Sequence, residues 1–204
     1  MNQKLLVFAK APVAGQVKTR LIPALGEKGA AAIQCQLLHQ TLQTAMASNI
    51  PSELWCSPNK DHSALDEYRQ PYDLVWKNQH GSDLGERMSH AFSETLRSVE
   101  AAVLIGTDCP ELQEDYLHNA LEKLGQDNDV VLGPARDGGY VLIGLKQALP
   151  SLFENIPWGT GKVLSATRER IHQLKLKWSE LPPMHDLDRP SDLKLFPALL
   201  TEYI

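Results

Sequence analysis

The 204-residue chain is short of several things, and each shortage removes a class of protein. It has three cysteines, Cys35, Cys56 and Cys109, too far apart and too few for a disulfide framework or a zinc knuckle. Reduced thiols in a cytoplasmic protein are the expected reading. No apolar run approaches the roughly 20 residues of a membrane span. The amino-terminal run Leu5–Phe8 stops at Lys10, too soon for a signal peptide. Basic residues are in the minority, 20 against 25 acidic, for a formal charge of −5. A generic nucleic-acid binder would be basic, so neither nucleic acid nor membrane is expected as a partner. With 43% hydrophobic and 22% charged residues, disorder and fibrous structure are excluded as well.

What is present is an alternation of two periodicities. Short apolar runs at Leu5–Phe8, Glu53–Cys56, Asp73–Trp76, Ala101–Ile105, Asp129–Leu132 and Tyr140–Ile143 read as strands, with Leu176–Leu181 as a further edge strand. Between them, apolar residues recur at helical spacing over Glu27–Ala47, Asp83–Ser98, Glu114–Leu124 and Thr160–Leu174, and Ser191–Tyr203 closes the chain as a helix. In Asp83–Ser98 the stripe is Leu84, Met88, Ala91, Phe92 and Leu96, with Asp83 as N-cap. Alternating strands and helices predict one α/β domain over residues 1–204, a mostly parallel sheet covered on both faces. Such sheets bind ligands beyond the carboxyl ends of their strands, so the loops there are where chemistry is expected.

Five loops qualify. The segment Lys10–Arg20 packs three cations, Lys10, Lys18 and Arg20, around Gly15, without the Walker A or GxGxxG spacing. Those cations can neutralise a diphosphate, and Gly15 lets backbone amides approach it. Gly106-Thr-Asp-Cys-Pro110 places Asp108 directly after the central strand, where it either holds a hard divalent cation or caps a turn. His185–Asp192 carries Asp186 and Asp188 two residues apart, on one side of an extended segment, where either acid could complete a metal site or cap the helix that follows. Gly133–Tyr140 is either a plain hairpin turn or a display of Asp137 beside a substrate hydroxyl, where it could act as base. Trp158-Gly-Thr160 lines an acceptor pocket or caps a helix. Arg87, at the start of the Asp83 helix, could face a nucleotide.

Six motifs in this order, Lys10-Ala-Pro-x-x-Gly-x-Val-Lys-Thr-Arg-Leu21, Asp83-Leu-Gly-Glu-Arg-Met88, Gly106-Thr-Asp-Cys-Pro110, Gly133-Pro-Ala-x-Asp-Gly-Gly-Tyr-x-Leu-Ile-Gly144, Trp158-Gly-Thr160 and Asp186-x-Asp-x-Pro-x-Asp-Leu193, resemble the transferase family of radical-SAM and selenium gene neighbourhoods, whose members are often labelled arsenosugar-biosynthesis glycosyltransferases. The resemblance implies the GT-A, or nucleotide-diphospho-sugar transferase, fold. It implies glycosyl transfer from a nucleotide sugar to a small-molecule acceptor, or, as the alternative, nucleotidyl transfer from an NTP to a small phosphorylated acceptor. It implies Mg2+ or Mn2+ on Asp108 and Asp188. Nucleotide contacts fall to Lys10, Gly15, Lys18, Arg20, Asp83 and Arg87. Catalysis falls to Asp137 with Lys18 and Arg20, and substrate contacts to Gly138, Gly139, Tyr140, Trp158 and Thr160. The first loop departs from the glycine-rich, arginine-containing loop of better-known nucleotidyltransferases.

Overall fold

The computed structural model describes residues 2–200. Seven strands form one sheet: β1 (Gln3–Lys10), β2 (Ser52–Ser57), β3 (Val75–Asn78), β4 (Ala101–Ile105), β5 (Val130–Pro134), β6 (Tyr140–Leu145) and β7 (Trp178–Glu180), in the order β3-β2-β1-β4-β6-β5-β7. All neighbours pair in parallel except β6, which runs antiparallel to both β4 and β5. Four α-helices connect the strands: α1 (Ile22–Ala47), α2 (Leu84–Thr95), α3 (Glu114–Gly125) and α4 (Val163–Gln173).

Strand alternation sorts the core into two layers. Leu5, Val7, Ala9, Val103 and Ile105 face α1 and α3, packing on Leu38, Leu42, Leu117 and Leu121. Leu6, Phe8, Ala102 and Leu104 face the other way, onto Met88 and Phe92 of α2 and Leu164 and Ile171 of α4. The central strands are therefore apolar on both sides, as a two-sided sheet requires. Each leucine buried to this degree contributes about 1.5–3 kcal/mol over exposure. A smaller cluster of Leu21, Ile33, Leu37, Leu187 and Leu193 packs the chain's last segments against α1.

Local departures from the sequence reading have local causes. Gly26, at φ 69° and ψ 170°, kinks the start of α1, so regular helix runs from residue 27, as the periodicity indicates. The third strand lies at Val75–Asn78 rather than Asp73–Trp76, because Leu74 N–H folds back onto the Tyr72 carbonyl. The last helix opens at Val163, after a turn in which Thr160 Oγ1 accepts from Lys162 N–H. The closing helix expected over Ser191–Tyr203 is two short 3-10 turns, Asp192–Leu195 and Pro197–Leu200, with residues 201–203 outside the described range. Pro197 has no N–H to carry a helix through that point. Leu84, expected in the apolar stripe of α2, is 45% exposed. No helix among the described residues is long and apolar enough to cross a membrane.

Candidate active site

The strands β1, β4, β5 and β7 end at one edge, where β6 begins, and the loops of that edge enclose a cavity of about 620 Å³. This volume suits a small organic ligand. Lys10, Lys18 and Arg20 line it from the first loop, Arg87 from α2, Asp108 from the loop after β4, Asp137, Gly139 and Tyr140 from the β5–β6 hairpin, and Asp186 and Asp188 from the segment after β7.

Lys18 is the hub. It adopts the left-handed conformation, φ 46° and ψ 40°, uncommon for a residue with a side chain. Its side chain is 4% exposed. Its ammonium donates to Asp108 Oδ1 at 2.6 Å and to the Leu187 carbonyl at 2.6 Å. The chain of residue 187 is tied to the same loop a second time, Leu187 N–H donating to the Asp108 carbonyl at 2.8 Å. Beside it, Arg20 donates to Asp188, and that contact holds the guanidinium more firmly protonated than usual. Arg20 is otherwise half-exposed.

The acids come from loops that are pinned by main-chain contacts. Met184 N–H donates to the Pro134 carbonyl and Arg136 N–H to the Met184 carbonyl, extending the β5–β7 side by an isolated parallel bridge. Glu111 receives His185 N–H at 2.8 Å. Between these ties Asp186 is half-buried, and burial, reinforced by Asp137, Asp108 and Asp188, pushes its carboxyl up to about 6. Asp137 is exposed at the hairpin tip, its Oδ1 accepting Gly139 N–H at 2.8 Å. The tip sits flush on the 158–162 turn: a Cβ on Gly138, whose φ is +95°, would lie 2.2 Å from the Gly161 carbonyl oxygen.

Gly15, Asp83, Trp158 and Thr160 stand back from the lining. Gly15 makes the positive-φ turn of the first loop, next to the Glu27 carboxylate. Asp83 caps α2, accepting Glu86 N–H at 2.8 Å. Trp158 meets Tyr140 edge-on at 6.4 Å, with its indole against Gly85. Thr160 donates to the Pro157 carbonyl. Tyr140 offers its ring to the cavity, since its hydroxyl is buried behind it.

Residues that the sequence reading did not single out also line the cavity. Gln34 of α1 is 4% exposed and donates to Thr107 Oγ1 at 3.0 Å. Gln79 spends its amide protons on the Ala9 and Trp55 carbonyls. Gln34 had a signal: it is a polar residue inside the apolar stripe Ala30, Ile33, Leu37 of α1. Gln79 had none.

The donors are all carboxylate oxygens, the chemistry that suits a hard divalent ion. Asp108 and Asp188 would hold such an ion, and the half-buried Asp186, with no ion pair of its own among the described residues, lines the same cavity. Among the described residues no group of three or more His, Cys, Asp or Glu is arranged as a metal cluster, and Asp108 and Asp188 are each engaged by a basic side chain.

The architecture is that of nucleotide-diphospho-sugar transferases. The chain matches, at 28% identity and TM-score 0.84, the crystal structure of a candidate nucleotide-diphospho-sugar transferase from Desulfovibrio desulfuricans, covering 99% of this chain and 98% of that one. The same fold is shared with a CMP:2-keto-3-deoxy-manno-octonic acid synthetase complexed with CTP (9% identity, TM-score 0.62, all of both chains) and with an inositol-1-phosphate CTP transferase from T. maritima (13% identity, TM-score 0.58, 98% and 95% of the two chains). Residues 39–160 match the family described as "Uncharacterized protein conserved in bacteria (DUF2064)", and the chain belongs to that family. No curated protein matches it.

Proposed function

We propose that residues 1–204 act as one transferase domain on a nucleotide-diphosphate donor, most specifically in glycosyl transfer from a nucleotide sugar to a small acceptor, as in the radical-SAM and selenium-associated transferases the sequence resembles. The observation that carries this reading is the meeting of Lys18, Arg20, Asp108 and Asp188 on one cavity at the carboxyl edge of the sheet. The likeness at 28% identity to a candidate nucleotide-diphospho-sugar transferase supports it.

In this mechanism Lys10, Lys18 and Arg20 bind the donor's diphosphate, with arginine able to contact two oxygens at once. Asp108 and Asp188 would hold a divalent cation, whose charge would offset that of the departing diphosphate. The acceptor hydroxyl sits at Asp137. Because Oδ1 takes Gly139 N–H, Oδ2 is the oxygen that orients the hydroxyl and receives its proton. The acceptor oxygen bonds to the sugar's anomeric carbon as the bond from that carbon to the diphosphate breaks. The basic side chains stabilise the charge that builds on the leaving oxygen.

The test is turnover with nucleotide sugars and Mg2+ or Mn2+. Asp108→Asn is expected to lower turnover by about 10²–10³, the range for losing one preorganised electrostatic group, and also to lower the melting temperature, because the buried Lys18 ammonium loses its counterion, while the variant stays folded at assay temperature. Full turnover by this variant sinks the scheme. Pyrophosphate released from a nucleoside triphosphate, rather than nucleoside diphosphate from a nucleotide sugar, replaces it with nucleotidyl transfer.

A further inference from the structure

The first loop and the acids are paired with each other in a way that neither could keep once a donor binds. Lys18 holds Asp108, and Arg20 holds Asp188. The two carboxylates placed to bind a cation are thus occupied by the two side chains placed to bind phosphate. We infer that Lys18 and Arg20 are the counterions of Asp108 and Asp188, and that cation binding at these acids is an exchange: the ion takes Asp108 and Asp188 and frees both basic groups for an incoming diphosphate.

Three observations carry this. The Lys18 side chain is 4% exposed, so its ammonium has little water and depends on Asp108 and the Leu187 carbonyl. Its backbone is in a left-handed conformation that a side-chain-bearing residue adopts at a cost, which fits a residue held in position by its partners. The Asp108 side chain, by contrast, is 55% exposed and Asp188 is 29% exposed, so both acids are reachable from the cavity while still paired. All four groups line the one cavity. An ion that competes with a tethered ammonium and guanidinium binds more weakly than the same acids alone would bind it. A diphosphate that rewards the freed basic groups recovers that loss, so cation and diphosphate should bind with positive coupling. By linkage the coupling is equal in both directions.

The inference rests on the proposed site but not on the identity of its substrate, so its test uses the metal alone. Mn2+ binding to the nucleotide-free protein is followed by the paramagnetic resonance signal of free Mn2+, in wild type, Lys18→Gln and Arg20→Gln. Exchange makes each variant bind Mn2+ more tightly, by roughly tenfold, within the span usual for coupled sites. If Lys18 and Arg20 serve only to hold the loops, the variants bind Mn2+ equally or more weakly, and the inference falls. Arg20 is half-exposed and its replacement should leave the fold intact, so it keeps the test open if Lys18→Gln does not fold. A second arm measures the thermal shift by inorganic pyrophosphate with and without Mn2+. Tighter Mn2+ binding in the variants with no response to pyrophosphate in either condition retains the exchange and removes the donor reading instead.

Discussion

The two halves of the sheet do different electrostatic work. On one side, β3, β2, β1 and β4 form an all-parallel block, and the loop after β1 together with α2 delivers Lys10, Lys18, Arg20 and Arg87 to the cavity. On the other, β6, β5 and β7 form a mixed block, and its loops deliver Asp137, Asp186 and Asp188. Asp108 stands at the seam, at the end of β4. The ion pairs Lys18–Asp108 and Arg20–Asp188 bring the two sets together. The parallel block secures its helices by side-chain burial. The mixed block secures its acids by main-chain contacts, through the hairpin, the Gly138–Gly161 approach and the bonds of Met184. The basic and the acidic residues of the cavity thus come mainly from different halves of the sheet.

The sharpest test of that division is in the parallel block. Phe92 is fully buried between the sheet and Phe153, with ring centroids 6.0 Å apart. Phe92→Ala should cost about 3–5 kcal/mol in denaturant unfolding. A loss below about 1 kcal/mol would mean that α2 is not anchored by burial. The middle-sized effect lies in the mixed block. Gly138→Ala forces a side chain into the left-handed region and against a backbone carbonyl, and should cost roughly 1–3 kcal/mol. In a transferase it should also displace Asp137, so turnover falls further than stability predicts. Equal falls in both would show that the hairpin tip does not position the acid. The smallest effect is at the cap of α2. Asp83→Ala should cost about 1 kcal/mol and leave ligand affinity untouched, because Asp83 bonds the helix rather than the cavity. Weaker nucleotide binding by this variant would return Asp83 to the site.

The same division decides how much could be read in advance. The parallel block was legible because burial writes itself as periodicity: Ala101–Ile105 is bounded as the apolar run bounds it, and Asp83 caps the helix it precedes. Its one shifted strand, β3, is at the edge, where a single neighbour fixes the register less firmly. In the mixed block the strand positions were readable too, yet the placing of the acids was not. No periodicity announces that Leu187 N–H will meet the Asp108 carbonyl across 78 intervening positions, a non-local contact that only the folded topology sets. Leu84 failed as a core residue for a related reason: its spacing fits the buried stripe, but it comes in the first turn of α2, which overhangs the cavity.

The segment that carries Asp186 and Asp188 has a particular consequence. Its ties at Met184 and His185 are made by backbone amides, to the Pro134 carbonyl and to Glu111. The two side chains add contacts of their own, Met184 Sδ with Cys109 Sγ at 3.6 Å and His185 Nδ1 with Glu111 Oε1 at 3.3 Å, but the backbone bonds do not depend on which side chains stand there. Proline is the exception, because it alone deletes the donor. Drift among homologous chains should accordingly exclude an imino acid at 184 and 185.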